Sequence, residues 1–183
     1  PIQINWIGYC NTMGLKNNDY IIADPNLIPQ DEERLYSEKI IYLPKIWNCH
    51  VGLNSQRMEV SSPFKTNGYL TFGSFNNFCK INDVVINTWS KILKKINNSK
   101  LILKPSGRSD ISRLKKCFQN NKVLDSVIFY ENIQSVDDHL KLYNKIDIAL
   151  DTFPYNGVTT SFEAIWMGAP ILTMKGFNFN SRC

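Results

Sequence analysis

The sequence predicts an α/β protein built on a parallel sheet with helices on both faces. Three observations carry that reading. From residue 69 onward, short apolar runs alternate with segments of helical period. Residues 83–96 place Val85, Trp89, Ile92, Leu93 and Ile96 on one helical face. Turn and cap residues fall between the periodic segments, where chain reversals need them.

The elements follow in order. "YLTFGSF" is a strand, and the helix over 83–96 can be capped by Asn82 or Asp83. "KLILKP" is a strand, and residues 109–119 form a helix with Ile111, Leu114 and Phe118 inward. "SVIFY" is the next strand, and "SVDDHLKLYNK" a helix with Ser135 as its cap. "IDIALD" is a strand, "TTSFEAIWMG" a helix whose Trp166 and Met167 read as core, and "PILTM" a last strand. Upstream, "IQINWIGY", "YIIAD" and "KIIYLP" are strand candidates separated by turn chemistry such as "NTMGLKNND". Residues 51–66 lack periodicity and read as a linker between a region over 1–50 and one over 67–183.

Composition sets further bounds. The chain has 183 residues, 43% of them apolar and 12% aromatic, enough to bury a core. No apolar run approaches the roughly 18 residues of a membrane span, so no membrane partner is expected. The net charge is +5, but 16 Lys stand against 5 Arg beside 21 Asn and 21 Ile. That skew suits an AT-rich codon bias better than a phosphate-reading surface, so no nucleic-acid partner is expected. The five cysteines, Cys10, Cys49, Cys79, Cys117 and Cys183, never form C-x-x-C. With only His50 and His139 beside them, neither a disulfide framework nor a metal site is expected, and the pattern fits a reducing, cytoplasmic setting. Pro1 at the start and "GFNFNSRC" at the end suggest an internal piece of a longer protein.

In a parallel sheet ligands bind beyond the carboxyl ends of the strands. The loops to weigh are therefore 73–81, 104–109, 130–136 and 151–159. G-x-G-x-x-G, the P-loop and G-x-S-x-G are all absent. The stretch "DTFPYNGVTTSFE" remains. Gly157 permits a tight turn, and Thr159 and Thr160 open a helix whose start suits a phosphate; alternatively Thr159 is only a cap. Glu163, about one turn further, can accept both hydroxyls of a ribose or simply complement the helix dipole. Asn77 and Lys80 in "GSFNNFCK" can face the same cleft, with Lys80 as a phosphate partner or a solvated loop lysine. His139 can donate to a phosphate or be a surface residue. Asp151 can cap the following loop or act as a base.

Taken together, "PIQINWIGYCNTMGL", "YSEKIIYLP", "NGYLTFGSFNNFCKIN" and "DIALDTFPYNGVTTSFEAIWMGAPILTM" resemble the catalytic region of the O-GlcNAc transferase and SPINDLY-like family. The resemblance spans Pro1 to Cys183 and is weak over about 51–66. It implies a GT-B glycosyltransferase with Rossmann-like lobes. Residues 1–50 would end the N-terminal lobe, and 67–183 would form most of the nucleotide-sugar-binding lobe, with tetratricopeptide repeats upstream. It implies inverting, metal-independent and cofactor-free transfer of a sugar, GlcNAc from UDP-GlcNAc, to Ser or Thr hydroxyls of a protein acceptor. By the same resemblance Gly8 approaches the sugar, and Asn77 and Lys80 contact nucleotide and diphosphate. His139 is the helix histidine, and Asn156, Gly157, Thr159 and Thr160 cradle the diphosphate. Glu163 holds the ribose, and Lys80 with His139 stabilises the leaving group. The general base would belong mainly to the N-terminal lobe or to the donor.

Three departures bear on the donor. Val158 stands where animal enzymes have His, Val136 where they have Lys, and Cys10 where relatives have Pro. They lean toward the bacterial SPINDLY-like branch and keep two alternatives open: GDP-fucose as donor, or a non-catalytic nucleotide-binding interaction protein. The 183 residues alone are expected to be inactive, because a two-lobed site would be incomplete.

Overall fold

The computed structural model describes residues 1–8, 11–50, 52, 61–104, 111–130, 133 and 135–183. The chain divides into two compact units, one of residues 1–51 with 175–183 and one of residues 52–174.

In the first unit, β1 (Ile4–Asn5), β2 (Tyr20–Ala23) and β3 (Lys39–Tyr42) form a parallel sheet in that order. The expected strand over "IQINWIGY" shrinks to β1. Ile7 and Gly8 follow it with φ of 59° and 89°, which ends extended backbone. Ile21, Ala23, Leu27, Ile28, Trp47 and Phe179 form the core. Phe179 comes from the chain's last segment and meets Trp47 edge to face at 5.3 Å. Nearby, Arg182 donates to both oxygens of Glu32 at 2.9 and 2.6 Å. The sequence reading carried the second region to Cys183. Instead, the apolar and ionic contacts of Phe179 and Arg182 return residues 175–183 to the first unit.

The second unit holds β4 (Thr71–Ser74), β5 (Lys100–Leu103), β6 (Val127–Phe129), β7 (Ile148–Leu150) and β8 (Ile171–Leu172). All pair in parallel, in the order β6-β5-β4-β7-β8. The helices are α1 (Pro63–Asn67), α2 (Asp83–Lys95), α3 (Ile111–Asn120), α4 (Val136–Lys141) and α5 (Thr159–Trp166). Side chains alternate across β5: Leu101 and Leu103 join one cluster with Val85, Trp89, Leu114 and Phe118 of α2 and α3. Ile102 joins another with Leu140, Tyr143, Ala164 and Met167. A strand buried on both faces needs this two-sided apolar content, and each fully buried large side chain contributes about 1.5–3 kcal/mol.

Two expectations change here. The linker contains α1, closed by Gly68 at φ 73° with its N–H on Phe64 O at 2.8 Å. Its residues 51 and 53–60 lie outside the described residues, as do 109–110 of the expected helix before α3. Trp166 is not core but 39% exposed, because α5 turns Ala164 inward and Met167, which follows the helix as its C-cap, is buried in its place.

Asn82 does two jobs. Its Oδ1 accepts from Val85 N at 3.0 Å, capping α2, and its Nδ2 donates to Phe153 O at 2.8 Å, tying that helix to the loop after β7. Asn82→Ala is expected to lower the unfolding free energy by about 1–2 kcal/mol. Chemical denaturation checks this; a loss below a few tenths would mean that neither bond matters.

Candidate functional site

The strand order places a topological switch between β4 and β7, which neighbour each other but lead to opposite halves of the sheet. The loops leaving those two strands flank the crevice. One contains residues 75–82, with a single 3-10 turn over Phe78–Lys80. The other contains residues 151–158, including a cis peptide between Phe153 and Pro154.

Asp151 organises both loops. Its Oδ1 accepts from Thr152 N at 2.8 Å, Gly157 N at 2.7 Å and Asn76 Nδ2 at 3.2 Å. Its Oδ2 accepts from Thr173 Oγ1 at 2.7 Å. The capping role is thus the one the structure supports for this buried carboxylate. Asn76 in turn accepts from Thr160 Oγ1 at 2.9 Å. Gly157 sits in the middle, and the reason for glycine is space. A Cβ there would lie 2.8 Å from Asn76 Oδ1 and 3.1 Å from Asp151 Oδ1, and would collide with Thr160 Oγ1.

From Thr173 the chain of bonds continues the other way. Asn156 Nδ2 donates to Thr173 Oγ1 at 2.8 Å and to Met174 O at 3.0 Å. Lys80 Nζ donates to Asn156 O at 3.0 Å and lies 4.6 Å from the Tyr155 ring centroid, so its charge is held over this loop. At the far end, Tyr143 OH lies 3.1 Å from Thr160 O and 3.0 Å from Glu163 Oε2. His139 Nε2 lies 3.0 Å from the same Glu163 oxygen. Burial raises the Tyr143 phenol, with the Glu163 charge and hydrogen bond adding to it, so it stays a donor.

One bonded frame therefore joins Lys80, Asn156, Asp151, Gly157, Asn76, Thr160, Tyr143, Glu163 and His139. Two buried atoms of this frame, Asn156 Oδ1 and His139 Nδ1, have no hydrogen-bond partner among the described residues. Buried polar atoms without partners are uncommon in folded proteins and point to a ligand or solvent contact. Alongside, α5 begins at Thr159 with no side-chain cap, and Val158 occupies the cap position. That helix start is open to an anion.

Comparisons with known proteins identify the family and the fold. The profile of glycosyl transferase family 41 matches residues 1–62 and 63–183. The chain belongs to glycosyltransferase family 41. It is 37% identical over 183 residues to the probable UDP-N-acetylglucosamine–peptide N-acetylglucosaminyltransferase SPINDLY of Eustoma exaltatum subsp. russellianum, covering 96% of this chain and 20% of that protein. It is 38% identical to the SPINDLY protein of Oryza sativa subsp. japonica, which bears the same probable activity, over 96% of this chain and 19% of that one. A mutant of the Thermobaculum terrenum O-GlcNAc transferase superposes with TM-score 0.85 at 32% identity, covering all of this chain and 35% of its own. The chain thus spans about a fifth of the length of the curated relatives it matches. Its parallel-sheet architecture is that of a GT-B glycosyltransferase.

Within this family 41 chain the sequence-derived site residues fall into three groups. Lys80, His139, Asn156, Gly157, Thr160 and Glu163 are brought together in the bonded frame. Thr159 is exposed at the α5 start. Asn77 is exposed and caps its own turn by accepting from Cys79 N at 3.0 Å. Its neighbour Asn76 is the one that joins the frame. Gly8 lies in the other unit, where its φ of 89° requires glycine. Cys10 lies outside the described residues, as do 105–109 and most of 131–134 in two of the loops singled out.

Asn76, Tyr143 and Thr173 were missed by sequence reasoning. Only Asn76 left a signal, as one of two adjacent asparagines after a strand. A cavity of about 410 Å³, lined by Thr71, Lys100, Tyr130 and Lys145 among others, lies at the amino ends of β4 and β5, away from the crevice. No helix among the described residues is long and apolar enough to cross a membrane.

Proposed function

We propose that the protein is a nucleotide-sugar-dependent protein O-glycosyltransferase that moves GlcNAc from UDP-GlcNAc to Ser or Thr hydroxyls, with inversion and without a metal. The observation that supports it most is the bonded frame at the switch point. It sets a lysine, an uncapped helix start and a carboxylate around one crevice and leaves Asn156 Oδ1 and His139 Nδ1 without a partner among the described residues. The names of the relatives point to the same donor and to peptide acceptors.

In that reaction the acceptor hydroxyl oxygen bonds to the anomeric carbon from the face opposite the diphosphate. The sugar–phosphate bond breaks, its electron pair stays on the diphosphate, and the hydroxyl proton passes to a base. Lys80 and the N–H groups at the α5 start stabilise the charge that grows on the leaving diphosphate, the role a metal fills elsewhere. His139, bonded through Nε2 to Glu163, presents Nδ1 to the donor. Glu163 accepts from the ribose. The enzyme works in the cytoplasm, where thiols such as Cys49, Cys79, Cys117 and Cys183 persist. Residues 1–50 belong to the end of the N-terminal catalytic lobe in this reading.

Val158 at the α5 cap favours GDP-fucose as the second reading, since the histidine of animal enzymes is missing there. Calorimetry with full-length protein in chelator is expected to show UDP binding, and Lys80→Ala to weaken it about tenfold to a hundredfold. Tight GDP binding with no UDP binding would move the donor to GDP-fucose. Binding without sugar transfer to protein would mean an interaction protein, and no binding of either nucleotide would end the enzyme reading.

A further inference from the structure

We infer that Tyr143 is a positioning residue, turning the Glu163 carboxylate so that Oε1 receives the ribose hydroxyls of the donor. The inference rests on the nucleotide-binding reading above and specifies how that site distinguishes ribose.

Both described contacts of the Glu163 carboxylate fall on one oxygen. Oε2 takes Tyr143 OH at 3.0 Å and His139 Nε2 at 3.0 Å. Two donors arriving at one oxygen from different elements hold the plane of the group in place. Oε1 is the oxygen left to accept from a ligand. Without the phenol, one donor would remain, and the carboxylate could rotate about its last bond.

Tyr143 is built to hold still. It is 3% exposed, and its ring packs edge to face on Phe75 at 4.7 Å and near His139 at 5.7 Å. Its backbone belongs to the 3-10 turn Leu142–Lys145 that continues α4, while Glu163 belongs to α5. The phenol thus bridges two elements on the same side of the sheet. Its single proton faces two acceptors, Thr160 O at 3.1 Å and the carboxylate. An ionised acceptor makes the stronger bond, so the proton goes to Glu163.

The test uses full-length protein and four ligands: UDP, GDP and their 2′,3′-dideoxy analogues. Wild type is expected to prefer the ribose form of its cognate nucleotide by about tenfold or more, the effect of hydrogen bonds to a charged acceptor. Y143F, which keeps ring and volume, is expected to reduce that preference to about threefold or less. Its affinity for the dideoxy form should stay within about twofold of wild type, which also shows that the site is folded. E163Q should show the same collapse, and the double variant should lose nothing further, as coupled residues do.

A purely structural tyrosine would weaken ribose and dideoxy forms alike, and that result overturns the inference. So does a Y143F protein that keeps the wild-type preference, or a wild type that binds without any preference. Failure of wild type to bind any of the four ligands would overturn the proposed function itself, and this inference with it.

Discussion

Asp151→Ala is expected to lower the unfolding free energy by about 3–5 kcal/mol and to abolish nucleoside diphosphate binding in the full-length protein. The carboxylate is 5% exposed and satisfies four donors: Thr152 N, Gly157 N, Asn76 Nδ2 and Thr173 Oγ1. Removing it leaves Thr152 N, Gly157 N and Asn76 Nδ2, all on buried residues, without their acceptor, and each unpaired buried group costs roughly 1–3 kcal/mol, while the exposed Thr173 can turn to solvent. The loss is large against a domain stability of about 5–15 kcal/mol. Binding fails for a separate reason. Asp151 holds Gly157 directly and Thr160 through Asn76, so both sides of the anion-facing loop lose their anchor together.

Asp151→Asn separates this account from a general core defect. An asparagine oxygen in the Oδ1 position keeps the three N–H donors. The amide then faces Thr173 Oγ1, which already accepts from Asn156 Nδ2 and must turn its proton elsewhere. The expected cost is about 1–2 kcal/mol, with measurable nucleotide binding. Chemical denaturation and calorimetry on both variants decide it. Equal damage from Asn and Ala would mean that volume or charge at 151 matters and the acceptor geometry does not.

The architecture of the second unit was legible in the sequence because its signals are local. A cap, a stripe of apolar residues and a turn lie within one window, as in α2 with Asn82, Val85 and Trp89. Much of the site was legible for a related reason: Asn156, Gly157, Thr160 and Glu163 lie within eight residues of one another around a helix start. What stayed hidden depends on contacts between distant segments. Asn76 and Asn77 are equivalent by composition. Only the bonds to Asp151 and Thr160, which come from the other side of the switch point, make Asn76 the inward one. Tyr143 reads as an apolar core position until α5 delivers Glu163 beside it. Trp166 was misjudged because hydrophobicity says that a residue prefers burial, while packing decides which face of α5 receives it. Residues 175–183 return to the first unit through Phe179 and Arg182, and nothing within that segment announces partners as remote as Trp47 and Glu32.

Acid is expected to destabilise the first unit through Glu38. This carboxylate is 4% exposed. Burial alone would push its pKa up, but hydrogen bonds from Thr12 Oγ1 and Met13 N at 2.6 Å and from Asn18 Nδ2 at 3.1 Å outweigh it. The result is a pKa lowered from 4.5 to about 2. A lowered pKa means that the folded state favours the ionised form. The contribution is fully present above the unfolded value and is lost as pH falls from about 4.5 through about 2. The shift corresponds to roughly 3 kcal/mol. Thr12 and Met13 lie on the connection between β1 and β2. Glu38 therefore ties Thr12 and Met13 to the start of β3. Glu38→Gln is expected to cost about 2–3 kcal/mol at pH 7 and much less near pH 2, so that the two stability curves converge in acid. Unfolding midpoints measured from pH 7 down to pH 2 test this. Parallel curves across that range would show that the Glu38 charge does not carry the hydrogen-bonded cluster.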